Sequence, residues 1–332
     1  MLKNNPYIKA YLNVIDEDVN NKVNVRRYRS IAAVIGGKYI PETNTIDCKG
    51  NNVQFKNTWL TNGTFDFKLI NTSNDWSEMF YNCDKLTHLP EGFTIPEGVT
   101  NCEEMFSRCS QLTRLPDGFT IPNSVSNCYK MFYYCHSLTH LPDNFIIPST
   151  VTNCSDMFSS CSKLTQLPNN FTIPNSTTDC SGMFWCCYKL THLPDNFTIP
   201  NNVINCNCMF FYCESLTHLP DNFTIPNSVT DCHGIFEGCK SLIHLPDNFK
   251  ISNNVVKCFN MFCYCESLQS LPDNFTIPNS VINCHCMFKN CKSLTHLPIN
   301  FHIPENINYS HMFDGCDKLK NKDPEAYIMM EI

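Results

Sequence analysis

Twenty-three cysteines and eleven histidines are the residues of this 332-residue chain best able to do chemistry, and most of them fall on one ruler. Cys102, Cys128, Cys154, Cys180, Cys206, Cys232, Cys258 and Cys284 follow one another at steps of 26. A second set runs from Cys83 through Cys109, Cys135, Cys161, Cys187, Cys213, Cys239 and Cys265 to Cys291 at the same step, and closes at Cys316 after a one-residue deletion. Six histidines, His88, His140, His192, His218, His244 and His296, share one position of this frame, with Arg114, Gln166 and Ser270 in the gaps.

Such ladders allow disulfide, metal or packing roles. On a helix, two cysteines seven residues apart stand about 10 Å from each other, too far to bridge, and continuous rows of stacked equivalents cannot all pair. A free cysteine packs as a small buried hydrophobe, so reduced, interior thiols are expected. The extra cysteines, Cys206-x-Cys208, Cys263-x-Cys265, Cys284-x-Cys286 and the Cys186-Cys187 pair, lack the doubled Cys-x-x-Cys spacing usual for zinc. His285 between Cys284 and Cys286 keeps a metal reading open, but no metal and no cofactor are assigned. In Leu-Thr-His-Leu-Pro the leucines point inward, so the histidines form an outward column beside an acidic row that includes Asp143, Asp195, Asp221 and Asp247. Turn chemistry and duplication account for these rows. A ligand-binding stripe of His88, His140, His192, His218, His244, His296 and those four aspartates is the functional reading, and imidazoles would make its binding depend on pH. A catalytic site needs a distinctive nucleophile set against a unique base. Every candidate here is copied many times, so no enzyme is expected.

The elements that must position these residues follow from one unit. The consensus reads N-C-x-x-M-F-x-x-C-x-S-L-T-H-L-P-D-N-F-T-I-P-N-S-V-T. Leu216-Thr217-His218-Leu219 is a short extended stretch, stopped by Pro220-Asp221-Asn222. Phe223-Thr224-Ile225 is a second extended step, and Pro226 holds Ile225 extended. Asp231 is placed as a helix N-cap. Cys232, Ile235, Phe236 and Cys239, at i, i+3, i+4 and i+7, form one face of about two helical turns. Each unit buries its apolar set only against its neighbours, which is the logic of a solenoid.

The repeat resembles the BspA-like leucine-rich repeats, the bacterial surface protein unit M-F-x-x-C-x-x-L-T-x-L-x-x-x-x-F-x-T-x-x-V-T-x-M-x-x-M-F. The match holds at the Met-Phe, Cys, Leu, Leu, Val and Met-Phe positions across residues 76 to 319, with cysteine at Cys102 and its equivalents where the family often has methionine. The resemblance implies an α/β right-handed leucine-rich-repeat solenoid with short parallel strands and short helices. It also implies an adhesion or host-interaction role, with a protein or glycan partner on the strand face, and no catalysis.

Three regions are expected: residues 1–75, a non-repeat region ending in a capping half-unit (Phe67, Leu69, Trp76); residues 76–319, ten repeats; and residues 320–332, a tail whose Tyr327–Met330 covers the far end. Residues 1–45 are a candidate docking piece for another protein, which supports an alternative role as a component of an assembly such as a virion tail or fibre. A net charge of -7 gives no broad basic field for nucleic acid, and no apolar run reaches the roughly 20 residues of a membrane span. The first residues show no apolar core of a secretory signal. Surface or secreted by resemblance, and virion or cytoplasm otherwise, are the expected locations.

Overall fold

The computed structural model describes residues 22–322, in two compact units: residues 22–53 with 65–74, and residues 54–64 with 75–322. Residues 1–21 and 323–332, which include Tyr327–Met330 and much of the expected docking piece, lie outside the described residues.

In the first unit residues 22–34 form a helix, α1, whose Tyr28, Ile31 and Ala32 are buried. Strands β1 (Lys38–Ile40), β2 (Thr45–Asp47) and β3 (Lys68–Ile70) form one small sheet, β1 antiparallel to β2 and β2 parallel to β3. Gly37 is needed there, because any side chain on it would strike the Asp47 carbonyl. Rings fill the space beneath: Tyr28 lies 5.2 Å from Tyr39 and 5.4 Å from Phe67. Phe67 and Leu69 therefore belong to this sheet unit and not to a repeat coil.

The second unit is a stack of coils in 26-residue register. Numbering each coil from its first ladder cysteine, positions 1, 4, 5, 8, 11, 14, 18, 20 and 24 point inward, and in the coil that begins at Cys206 all nine of those residues are buried. Two phenylalanine ladders run through the core. Those of the Met-Phe step stack nearly parallel, from Phe80–Phe106 at 5.1 Å to Phe158–Phe184 at 5.8 Å. Those of the Asp-Asn-Phe step stack at 6.3–6.4 Å from Phe119 to Phe301. Rings of the two ladders meet edge-on, as Phe197 does Phe210 at 5.9 Å, the geometry that suits aromatic quadrupoles. Trp76 takes position 1 of the first full coil and is buried. Phe55 starts the first ladder 25 residues before Phe80 and 5.2 Å from its ring.

The expected helices are not what builds the coils. Among the described residues, helix occurs only at 22–34 and at α2 (Asp317–Lys322), apart from two short 3-10 turns. Within each Cys-x-x-Met-Phe-x-x-Cys segment the backbone makes successive i→i+3 turns, for example Met105 N–H to Cys102 O at 3.2 Å and Cys109 N–H to Phe106 O at 3.1 Å. The alternate amides turn outward to the next coil: Cys102 to Asn127, Glu104 to Tyr129, Phe106 to Met131 and Arg108 to Tyr133, at 2.7–3.0 Å. An amide given to the next coil cannot close a helical bond. The arrangement needs left-handed backbone at positions 3 and 7, seen in Glu104 (φ 50), Arg108 (φ 63), Lys130 (φ 54) and Tyr134 (φ 59).

The expected strands are also reduced. Leu-Thr-His-Leu is extended and in parallel register with the next copy, but it carries one backbone bond per step, such as Thr217 N–H to Thr191 O at 3.2 Å. Among the described residues His88↔Arg114 is the one bridge at that position. Parallel bridges run instead through the residue before the ladder cysteine, from Asp75↔Asn101 to Asn283↔Asn308. There the expected N-cap is an Asx turn: the Asn101 side chain accepts from Glu103 N–H at 3.1 Å, and Asp231 from His233 N–H at 3.2 Å.

Phe210 touches both ladders, so replacing it with Ala is expected to destabilise the array by about 3–5 kcal/mol. Denaturant unfolding followed by circular dichroism measures this, and a loss under about 1 kcal/mol would show that the ladders do not carry the core.

Candidate functional site

Three side-chain systems offer chemistry: the histidine face, the mostly buried thiols, and the outward positions of the Cys-x-x-Met-Phe-x-x-Cys segment. The Thr-to-Thr backbone bonds hold the histidines one above another. His140, His192, His218, His244 and His296 are exposed and His88 is half-buried, while Asp143, Asp195, Asp221 and Asp247 are all exposed. The preceding threonine binds the ring: Thr87–His88, Thr139–His140, Thr191–His192, Thr217–His218 and Thr295–His296 each show Oγ1···Nδ1 at 2.9 Å. The same hydroxyls donate to a carbonyl of the previous coil, Thr191 to Thr165 O at 3.2 Å and Thr217 to Thr191 O at 3.3 Å. A hydroxyl has one proton. With it committed to the carbonyl, Nδ1–H must donate to Oγ1, which assigns the tautomer and leaves Nε2 as an outward acceptor. His244 follows Ile243 and lacks this clamp. Where Ser270 interrupts the row, a depression of about 550 Å³ opens between His244 and His296, with Asp247 and Asp273 on its wall.

All twenty-three thiols are free, and all but Cys186 and Cys208 are buried. The second ladder has a task beyond filling space: each sulfur donates to the phenylalanine carbonyl of the previous coil, as in Cys109 to Phe80 O at 3.1 Å and Cys213 to Phe184 O at 3.2 Å. Burial is the main force raising these thiols, pushing Cys83 and Cys102 up to about 12. Among the described residues no group of three or more His, Cys, Asp or Glu is placed to hold a metal. Cys284 faces the core, and His285 instead bonds Cys286 Sγ at 3.1 Å and Ser310 Oγ at 2.8 Å.

Positions 2, 3, 6, 7 and 9 form a further face, which sequence reasoning passed over. The signal was available: these positions change at almost every copy while the inward ones barely change. They collect Tyr129, Tyr133, Trp185, Tyr188, Phe211 and Tyr264 on the surface. Lys130 lies over Tyr129 (4.8 Å) and Tyr133 (5.0 Å), Arg108 over Tyr134 (5.3 Å) and Lys240 over Tyr212 (6.0 Å). Farther along, Asp231 sits 2.6 Å from His233 Nδ1 and 3.7 Å from Lys257 Nζ. Burial alone would raise its carboxyl, but the hydrogen bonds from His233, with that ring and Lys257 close by, hold it below the ordinary range.

A backbone register that repeats every 26 residues, with its apolar set stacked coil on coil, defines a repeat solenoid. The chain belongs to the family described as "Mycoplasma protein of unknown function, DUF285", whose model matches residues 52–171, 100–223 and 221–327. Among solved structures it is similar to a leucine rich cell surface protein of Faecalibacterium prausnitzii, at 19% identity over 81% of this chain and 93% of that one, TM-score 0.35. It is similar also to a leucine-rich repeat protein of T. pallidum (20% identity, 70% and 86% covered, TM-score 0.34) and to one of Eubacterium ventriosum (17% identity, 84% and 92% covered, TM-score 0.40). No curated protein matches the sequence. Among the described residues no helix is long and apolar enough to cross a membrane.

Alkylation of the native protein separates these thiols. Half-exposed Cys186 and Cys208 are expected to label first. The ladder cysteines should label only on unfolding, with no acceleration between pH 7 and 9, because the thiolate is the reactive form. Peptide mapping by mass spectrometry reads both; rapid labelling of Cys187 or Cys213 would contradict their burial.

Proposed function

We propose that the array is a non-enzymatic adhesion or interaction module that holds a protein or glycan partner on its Leu-Thr-His-Leu-Pro-Asp face. The observation that carries this reading is the clamped histidine column: outward Nε2 acceptors in register, bordered by exposed aspartates. A polymer with a regular repeat of donors fits such a face, since the five coils with a clamped histidine offer it the same contact. His88, His140, His192, His218, His244 and His296 are the binding residues of this reading, with Asp143, Asp195, Asp221 and Asp247. We take the coil to wind right-handed, as the BspA-like resemblance implies. Surface display follows from the same resemblance.

The test uses an array of glycans and immobilised matrix proteins, probed with the labelled chain at pH 5.5 and 7.5. Replacing His192, His218 and His244 with Gln should weaken the strongest interaction at least tenfold and remove most of its dependence on pH. Each exposed substitution should change stability by less than about 0.5 kcal/mol. Unaltered binding by the triple variant would place the partner on another face, and a large stability loss would show the row to be structural.

A further inference from the structure

The outward face of the Cys-x-x-Met-Phe-x-x-Cys segments contains one place where the chain leaves rings uncovered and carboxylates under-compensated. Trp185 and Phe211, in neighbouring coils, stand with ring centroids 4.5 Å apart at 44°. Trp185 is 37% exposed and Phe211 half-buried. Tyr129, Tyr133, Tyr134 and Tyr212 on this face carry the chain's own Lys130, Arg108 or Lys240, but among the described residues no cation lies over Trp185 or Phe211.

Glycine flanks the ring pair on both sides. Position 3 has left-handed backbone in every full coil and is filled elsewhere by Glu78, Glu104, Lys130, Asp156, Cys208, Asn260 and Cys286, so the backbone alone does not demand glycine there. Gly182 and Gly234 are the exceptions. A methyl group on Gly182 would press on the Asp156 carboxylate and stand 3.7 Å from the Trp185 ring. One on Gly234 would stand 3.4 Å from Glu237 Oε2 and 3.7 Å from Phe211. The two glycines thus open notches in which a carboxylate borders an aromatic ring.

We propose that Asp156, Trp185, Phe211 and Glu237 form a docking site for a basic peptide segment of a protein partner, its lysine or arginine heads entering the two glycine notches. Rings and carboxylates together are what an alkylammonium or guanidinium group binds, and a net charge of -7 favours approach of such a segment. The carboxylates lack full compensation from their own surroundings. Burial raises Asp156 to about 6, with Lys130 opposing and Asp179 adding to the rise, and burial raises Glu237 against an Asn260 hydrogen bond and His233. Cys208 lies close enough to sense both carboxylates, and Cys263 and Cys286 sense Glu237. Asp156 and Glu237 are three coils apart, at least about 14 Å along the stack at a parallel spacing near 4.8 Å. Two basic residues four apart on an extended peptide span about the same length. This site lies on a different face from the histidine column and does not depend on it.

The intact chain reports on the site, because Trp59 and Trp76 are buried and Trp185 is the exposed tryptophan. The probe is the peptide acetyl-Lys-Gly-Gly-Gly-Lys-amide, titrated at pH 7.5 by fluorescence and calorimetry. Saturable binding that shifts Trp185 emission is expected, with affinity at least tenfold lower for the lysine-acetylated peptide and for the Asp156→Asn, Glu237→Gln double variant. Because the folded pKa of Asp156 lies above its unfolded value, the folded state favours the protonated form, and that contribution to stability is lost as pH rises from about 4 through about 6. Asp156→Asn should therefore melt no lower than the parent at pH 7.5 while binding more weakly, which separates a lost contact from a lost fold. Equal binding of the Glu-for-Lys peptide, full affinity in the double variant, no binding at millimolar peptide, or equally tight binding of free choline would each overturn the proposal.

Discussion

The stack depends on one constraint: the backbone of each coil is completed by the next. Four amides per coil, at positions 1, 3, 5 and 7, point forward to carbonyls 25 residues on. Pointing them all one way requires alternating right- and left-handed backbone, so side chains as large as Tyr134 and Tyr212 sit at positive φ, a conformation that costs roughly 1 kcal/mol or more for an L-residue. The cost is offset because a buried amide left without a partner would lose more. An edge coil cannot satisfy itself, which is why the pattern propagates from Phe55 to Cys316.

That register explains which residues are free to vary. A phenylalanine in either ladder contacts its equivalents above and below, so any change of size is felt in three coils. A threonine before the histidine is held twice, by backbone and by hydroxyl, to the coil before it. The side chains at positions 2, 3, 6, 7 and 9, as distinct from the backbone at 3 and 7, carry none of these contacts and can be Ser155, Trp185, Glu237 or Lys289 within the same stack. The solenoid thus separates a conserved-by-duplication interior and histidine face from a surface whose chemistry changes coil by coil, one suited to a repetitive partner and the other to a specific one.

Much of this was legible in the sequence. Strict 26-residue recurrence reveals the stack, and inward leucines around each histidine place the imidazoles outside. The element type was not legible, because i, i+3, i+4, i+7 spacing points four side chains to one side in chained turns as well as in a helix, and nothing local tells where the amides go. Phe55 was missed because it enters the ladder one residue out of step, and Phe67 and Leu69 echo the repeat while Leu69 pairs with Ile46 and Phe67 packs on Tyr28. The notch at Gly182 that Asp156 and Trp185 both border became visible only in the structure, since the two residues belong to different coils. A comparison of copies by position would have marked both glycines as departures.

The register claim is tested most directly by excision. Removing residues 180–205, one whole unit, joins two coils that carry the same inward set and the same forward amides. Urea unfolding should then remain a single cooperative transition, with a slope reduced by about a tenth, in proportion to the surface lost. Removing residues 180–192, half a unit, should instead abolish the transition or shift it sharply downward. Loss of the fold on whole-unit excision, or equal tolerance of both deletions, would contradict a structure held together by coil-on-coil register.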